Sequence, residues 1–140
     1  MIVLDTSVLY ALLDGQDQRH TEAAAWYGHC TGELATTPLV LAEVDHLVSA
    51  RAGRRAVAAF RHDAAAGAYA VEWWGSAPRD VVEAAERYED LGVSLTDASL
   101  VALAARLGTV AVATFDERHF RAMRPLAGGE AFRLIPLDEV

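Results

Sequence analysis

One hundred and forty residues, 53% hydrophobic and 23% charged, suit a single folded domain spanning residues 1–140 and exclude a disordered or collagen-like chain. Apolar stretches fall short of the ~18 residues a membrane span needs, and Met1 to Leu4 meets Asp5 with no basic leader, so a cytoplasmic protein without a membrane partner is expected. Twenty acidic and twelve basic residues give a net charge of −8, and every base is arginine; the lack of lysine excludes P-loop hydrolysis, Schiff-base chemistry and phosphoaspartyl designs, and the net charge repels polyanions.

A strand is predicted at Ile2 to Asp5, followed by a helix capped by Thr6 and carrying Val8, Leu9, Leu12 and Leu13 until Asp14-Gly15 ends it. A second helix runs from about Thr21 to Cys30, the sole cysteine, which excludes an internal disulfide and a zinc site of several thiolates. Leu34 to Thr36 reads as a brief strand. Thr37-Pro38, a cap followed by a proline suited to the first helical position, opens a third helix with Val40, Val44, Leu47 and Val48 as its apolar stripe and an end near Gly53. Arg54 to Ala66 forms another helix, closed by Gly67. Tyr69 to Trp73 is the next predicted strand and Pro78 to Asp90 a helix with a polar face. The most apolar helix, Asp97 to Leu107, is capped by Thr96 and closed by Gly108. Val110 to Thr114 reads as a buried strand, Arg118 to Arg124 as a short basic segment stopped by Pro125, and Phe132 to Ile135 as a last strand. This alternation predicts an α/β domain.

In such sheets ligands collect beyond the carboxyl ends of the strands. Four acids meet that criterion: Asp5 ends the first strand, Asp116 follows the Val110 strand, Asp97 opens a helix, and Glu43 lies just over one turn into the Pro38 helix. At ~100° per residue Asp97 projects between Val101 and Ala104, inside the apolar stripe, and Glu43 falls ~40° from Leu47 at the margin of its own stripe. Inward carboxylates must be paired, protonated or metal-bound, and with no lysine a divalent cation is the economical partner. Each acid alone also has a plainer reading. Asp97 complements a helix dipole, Asp5 caps a helix, Glu43 pairs with an arginine, and Asp116 starts a turn.

Other signals are weaker. Glu43-x-x-His46 has di-iron spacing, yet it occurs once and points His46 away from the stripe. His20, His29, His62 and His119 are scattered and read as ordinary surface or core residues. The arginines at 51, 54, 55 and 61, and at 118, 121 and 124, form local positive patches that read as solvated faces. Trp73 and Trp74 read as strand core or a partner contact.

Four blocks together carry a resemblance: Ile-Val-Leu-Asp-Thr-Ser at 2–7, Thr-Pro-Leu-Val-Leu-Ala-Glu-Val at 37–44, Leu-Thr-Asp-Ala-Ser-Leu-Val-Ala-Leu-Ala at 95–104, and Ala-Thr-Phe-Asp-Glu-Arg-His-Phe at 113–120. In this order and at these separations the chain resembles the PIN-domain ribonucleases, and within them the VapC-type toxins of toxin–antitoxin pairs. The resemblance implies a three-layer α/β/α sandwich around a central parallel sheet, with Asp5, Glu43, Asp97 and Asp116 as a catalytic acidic pocket holding Mg²⁺ or Mn²⁺. It implies that Asp5, Asp97 and Asp116 ligate the metal, while Glu43 either joins through water or takes the proton from the nucleophile. Ser7 and Thr114 are candidates to orient those ligands, and Arg118 is a candidate RNA contact. Some members carry a further acid near 118 or 119, where this chain has Arg118-His119, which bears on whether one ion or two is held. Implied partners are an RNA substrate, a small cognate antitoxin and a second copy of the chain, with no direct DNA binding.

Two other functions compete with RNA cleavage. One is a PIN-like protein-binding module that has lost the reaction, which the presence of all four acids disfavours. The other is a small-molecule phosphatase, which the missing lysine and the absence of a second acid two residues after Asp5 disfavour.

Overall fold

A computed structural model describes residues 1–139. Its five strands are β1 (Ile2–Leu4), β2 (Leu34–Thr36), β3 (Ala70–Val71), β4 (Ala111–Ala113) and β5 (Arg133–Ile135), paired in the order β3-β2-β1-β4-β5. Every pairing is parallel, with Val3 opposite both Ala35 and Val112, and Leu4 opposite Ala113. The helices are α1 (Thr6–Leu13), α2 (His20–His29), α3 (Pro38–Arg51), α4 (Arg54–Ala66), α5 (Ala77–Arg87), α6 (Leu95–Leu107) and α7 (Glu117–Ala122), with a single 3₁₀ turn at Glu89–Leu91. They flank the sheet in the expected three-layer α/β/α arrangement. No helix among the described residues is long and apolar enough to cross a membrane.

The central strands have short aliphatic runs because both faces of a parallel sheet are covered; Val3, Leu4, Val112 and Ala113 are fully buried. The α3 stripe buries Val40, Val44 and Val48 completely, whereas Leu47 stays partly open and lines a cleft. In α6 all seven residues from Ala98 to Ala104 are buried, so the middle two turns of this helix lie in the core. Each fully buried leucine there, Leu100 and Leu103, contributes roughly 1.5–3 kcal/mol by transfer alone.

Several boundaries differ from the expectation, for local reasons. Asp5, not Thr6, occupies the N-cap position of α1, because Asp5 is extended (φ −88°, ψ 157°) and Thr6 is already helical. Its carboxylate makes no capping bond, since Ser7 and Thr114 hold it instead. Helix α6 begins two residues early: Ser94 is the extended cap and its Oγ accepts the Asp97 amide at 3.1 Å. The predicted Tyr69–Trp73 strand shrinks to Ala70–Val71. Trp74 leaves the sheet because its indole donates to Asp80 Oδ2 at 2.8 Å and stacks near Arg106, while Trp73 is exposed. The basic segment after Asp116 is itself helical as α7. Gly108 closes α6 at φ +67°, a left-handed turn that a side chain would strain.

Candidate active site

Parallel pairing of Leu4 with Ala113 makes the next two residues, Asp5 and Thr114, neighbours at the carboxyl end of the sheet. Thr114 Oγ1 donates to Asp5 Oδ2 at 2.7 Å and accepts the Asp116 amide at 2.9 Å. Ser7 Oγ donates to the same Asp5 oxygen at 2.8 Å and accepts the Phe115 amide at 3.0 Å. Each hydroxyl has one proton, and in both cases it goes to Asp5. The loop carrying Asp116 is thereby tied to the loop carrying Asp5.

Asp97 reaches the same place from the first turn of α6, and Asp116 from the N-cap of α7, where its Oδ1 accepts the His119 amide at 3.1 Å. His119 Nδ1 stands 2.9 Å from Asp116 Oδ2 and 3.3 Å from Asp97 Oδ2. Its Nε2 lies 3.2 Å from the Leu91 carbonyl, an oxygen that only accepts, so Nε2 carries a proton and Nδ1 is aimed at the two carboxylates. One ligand atom each from Asp97, Asp116 and His119 lie within 4.8 Å of one another. His119 thus belongs to a cluster that sequence reading missed, although Asp116-x-x-His119 at a helix start has the spacing that permits it.

These residues share a cleft of about 470 Å³ with Glu43. The cleft brings together Asp5, Ser7, Glu43, Asp97, Asp116 and His119, with Thr114 buried behind Asp5. Glu43 was expected on an inward margin but is exposed, at the open side where solvent carries its charge. His46 and Arg118 are also exposed, and neither is among the cleft's lining residues. Two arginines do line it: Arg19, which sequence reading did not single out, and Arg51, which it placed in a solvated positive patch.

Burial and like charge dominate the electrostatics. Burial pushes the Asp5 carboxyl upward against the opposing bonds from Thr114 and Ser7. Asp97 is pushed up to about 7, first by burial and then by Asp5 and Asp116, with His119 acting the other way. No arginine pairs with Asp5, Asp97 or Asp116 among the described residues. Buried beside Asp5 in the cleft wall, Thr6 Oγ1 has no hydrogen-bond partner. Converging oxygens with no arginine partner and a single imidazole beside them, next to an unsatisfied hydroxyl, fit a hard divalent cation and its bound water.

Known proteins resemble this chain in sequence and fold. The PIN domain model matches residues 2–124. Ribonuclease VapC26 of Mycobacterium tuberculosis (strain ATCC 25618 / H37Rv) is 35% identical over 138 residues, covering 96% of this chain and 100% of the relative. The crystal structure of Mycobacterium tuberculosis VapC20, described as a sarcin–ricin loop cleaving toxin, superposes with a TM-score of 0.77 at 26% identity, over 83% of this chain and 90% of that one. A domain model spanning nearly the whole chain, and a relative aligned end to end, agree with the five-stranded parallel sheet: the chain belongs to the PIN domain family.

Proposed function

We propose that this chain is a divalent-metal-dependent ribonuclease, a single nuclease domain over residues 1–140 that acts in the cytoplasm as the toxin of a toxin–antitoxin pair. One observation carries the reading: Asp5, Asp97 and Asp116 converge from three distant segments in a cleft where, among the described residues, no arginine pairs with them. Ribonuclease VapC26 is aligned along its whole length, and the structural neighbour VapC20 cleaves the sarcin–ricin loop. Mg²⁺ or Mn²⁺ suits these oxygen donors.

Asp5, Asp97 and Asp116 would hold the cation, and when bound it supplies a water of lowered pKa and charge neutralisation at phosphate. Ser7 and Thr114 fix the direction of the Asp5 carboxylate, and His119 spans Asp97 and Asp116, so the donors are oriented beforehand. Glu43, at the open side, has two roles open to it, taking the proton from the attacking water or holding the ion through a water. The products are a 5′ and a 3′ RNA fragment from hydrolysis of one phosphodiester bond. A small antitoxin and a second copy of the chain are the expected protein partners, and direct DNA binding by this chain is not expected.

The test uses ribosomal RNA with the purified chain in Mg²⁺ or Mn²⁺, in EDTA, and with Asp97→Asn, alongside Mn²⁺ calorimetry on both proteins. Discrete cleavage that needs the metal and the Asp97 carboxylate is expected, with metal binding weakened in the variant. Metal binding without cleavage of ribosomal, transfer or messenger RNA would instead favour a protein-binding module that has lost the reaction.

A further inference from the structure

A chain of net charge −8 that gathers its acids in one cleft must overcome repulsion to admit RNA. The cleft supplies two guanidinium groups for this, on different elements. Arg51 lies on α3 in register with the acid end of the cleft: Glu43, Leu47 and Arg51 recur at intervals of four residues and all three line the cleft. At 1.5 Å per residue this stripe places Arg51 about 12 Å along the helix axis from Glu43. That is too far along the helix to serve the scissile phosphate beside the metal acids, and suited to a phosphate farther along the strand. Arg51 sits in the last turn of α3, is exposed, and has no carboxylate within ion-pair distance among the described residues.

Arg19, between α1 and α2, is held against the other side of the chemistry. Its guanidinium carbon stands 4.9 Å from the centre of the Phe115 ring, the residue before Asp116. Nη1 donates to Glu22 Oε2 at 2.9 Å, and the Arg19 amide donates to Asp17 Oδ1 at 2.8 Å. Stacking and one ion pair fix the plane of the group while leaving most of its five donors free. A planar fork pre-ordered in this way matches a phosphate with little further loss of side-chain freedom.

We propose that Arg51 and Arg19 bind backbone phosphates of single-stranded RNA flanking the scissile bond, and that they, not Arg118, set the path of the strand through the cleft. The inference rests on the nuclease reading above and assigns that site's substrate contacts. Neither arginine is a catalytic residue here; they position the strand.

The experiment measures binding of a fluorescently labelled, mixed-sequence single-stranded RNA to Asp97→Asn across a salt series, then adds Arg51→Gln, Arg19→Gln, Arg118→Gln or, as a remote control on α5, Arg79→Gln. Loss of a charged phosphate contact is expected to weaken binding roughly tenfold for Arg51→Gln and for Arg19→Gln, and to reduce the slope of log K against log salt by ~0.7 each. In the otherwise unaltered chain, Arg51→Gln and Arg19→Gln should each raise KM while leaving kcat and the Mn²⁺ isotherm in place, which separates a lost contact from a damaged site. RNA affinity and salt slope unchanged in both variants overturn the proposal, as does a loss confined to Arg118→Gln or the absence of measurable RNA binding by Asp97→Asn at low salt. If the parent chain cleaves RNA while the arginine variants match it, only this inference fails. If the parent cleaves nothing while the salt slopes still fall as expected, the nuclease reading fails and the phosphate contacts stand.

Discussion

Asp97→Asn should stabilise the metal-free protein while removing its function, and the gain should grow with pH. The Asp97 carboxyl is pushed from 3.8 to about 7 in the folded chain. Between those values the folded chain holds a proton that the unfolded chain has released, so stability falls as pH rises through this window. The asparagine variant lacks that titration. Its advantage therefore increases by about 1.4 kcal/mol per pH unit from near pH 4 and levels off near pH 7, at a ceiling of ~4 kcal/mol set by the size of the shift. Loss of the Asp97 contact with His119 subtracts from this ceiling. Urea unfolding of both proteins in EDTA, at half-unit steps from pH 5 to 8, reads the difference directly. An advantage that is flat with pH, or a variant less stable than the parent at pH 8, would refute the idea that Asp97 is held ionised at a cost.

Thr114→Val removes the proton donated to Asp5 and the acceptor for the Asp116 amide; a loss of ~2–4 kcal/mol in urea unfolding and a 10–100-fold weaker Mn²⁺ isotherm are expected, with Thr114→Ser retaining most of both. Mn²⁺ at about a hundred times its pH 8 Kd should add ~2.7 kcal/mol to the parent at pH 8, and the same concentration should add less at pH 5.5, because Asp5 and Asp97 are both raised and protons compete for the site; equal stabilisation at the two pH values would contradict this. Leu100→Ala, at a fully buried position of α6, should cost ~2–5 kcal/mol in a melt followed by circular dichroism, and a smaller loss would mean that α6 is not a core helix.

Much of this architecture was legible from local chemistry. Thr37-Pro38 reads as a helix start because a hydroxyl cap and a proline each satisfy a local requirement, and the Thr37 side chain does accept from the Val40 amide. Asp97 reads as inward because 3.6-residue periodicity is local too. Periodicity could not reveal that Ser94 outcompetes Thr96 as cap, since both are hydroxyls near the same helix start and the backbone angle decides between them. It also could not end the β3 strand at Val71: Trp73 and Trp74 have strand propensity, and the Asp80 carboxylate that draws Trp74 away lies on the next helix. His119 reads as an ordinary histidine in sequence because, although Asp116 stands three residues before it, its other partners, Asp97 and Leu91, lie more than twenty residues away. The Glu43, Leu47 and Arg51 stripe was present in the sequence but carried no meaning until α3 was known to border the acids.

The register of two strands explains why the site costs stability where it does. Because β1 and β4 run parallel and pair Leu4 with Ala113, both chains leave the sheet at the same level, and the first polar residue after each must sit in the same partly dry space. Asp5 answers with a carboxylate and Thr114 with a hydroxyl that steadies it. Asp97 and Asp116 then add two more acids from helix starts, where the dipole favours negative charge by only ~0.3–1 kcal/mol each, against repulsion of ~4 kcal/mol for a pair of charges 4 Å apart at an effective dielectric of 20. Helix ends alone therefore do not stabilise the cluster, and with no arginine paired to these three acids, protonation or a cation must. The metal-free chain uses protonation, because burial and the neighbouring acids hold Asp97 near 7. A cation would release that proton and leave all three carboxylates ionised, the state that the nuclease chemistry requires.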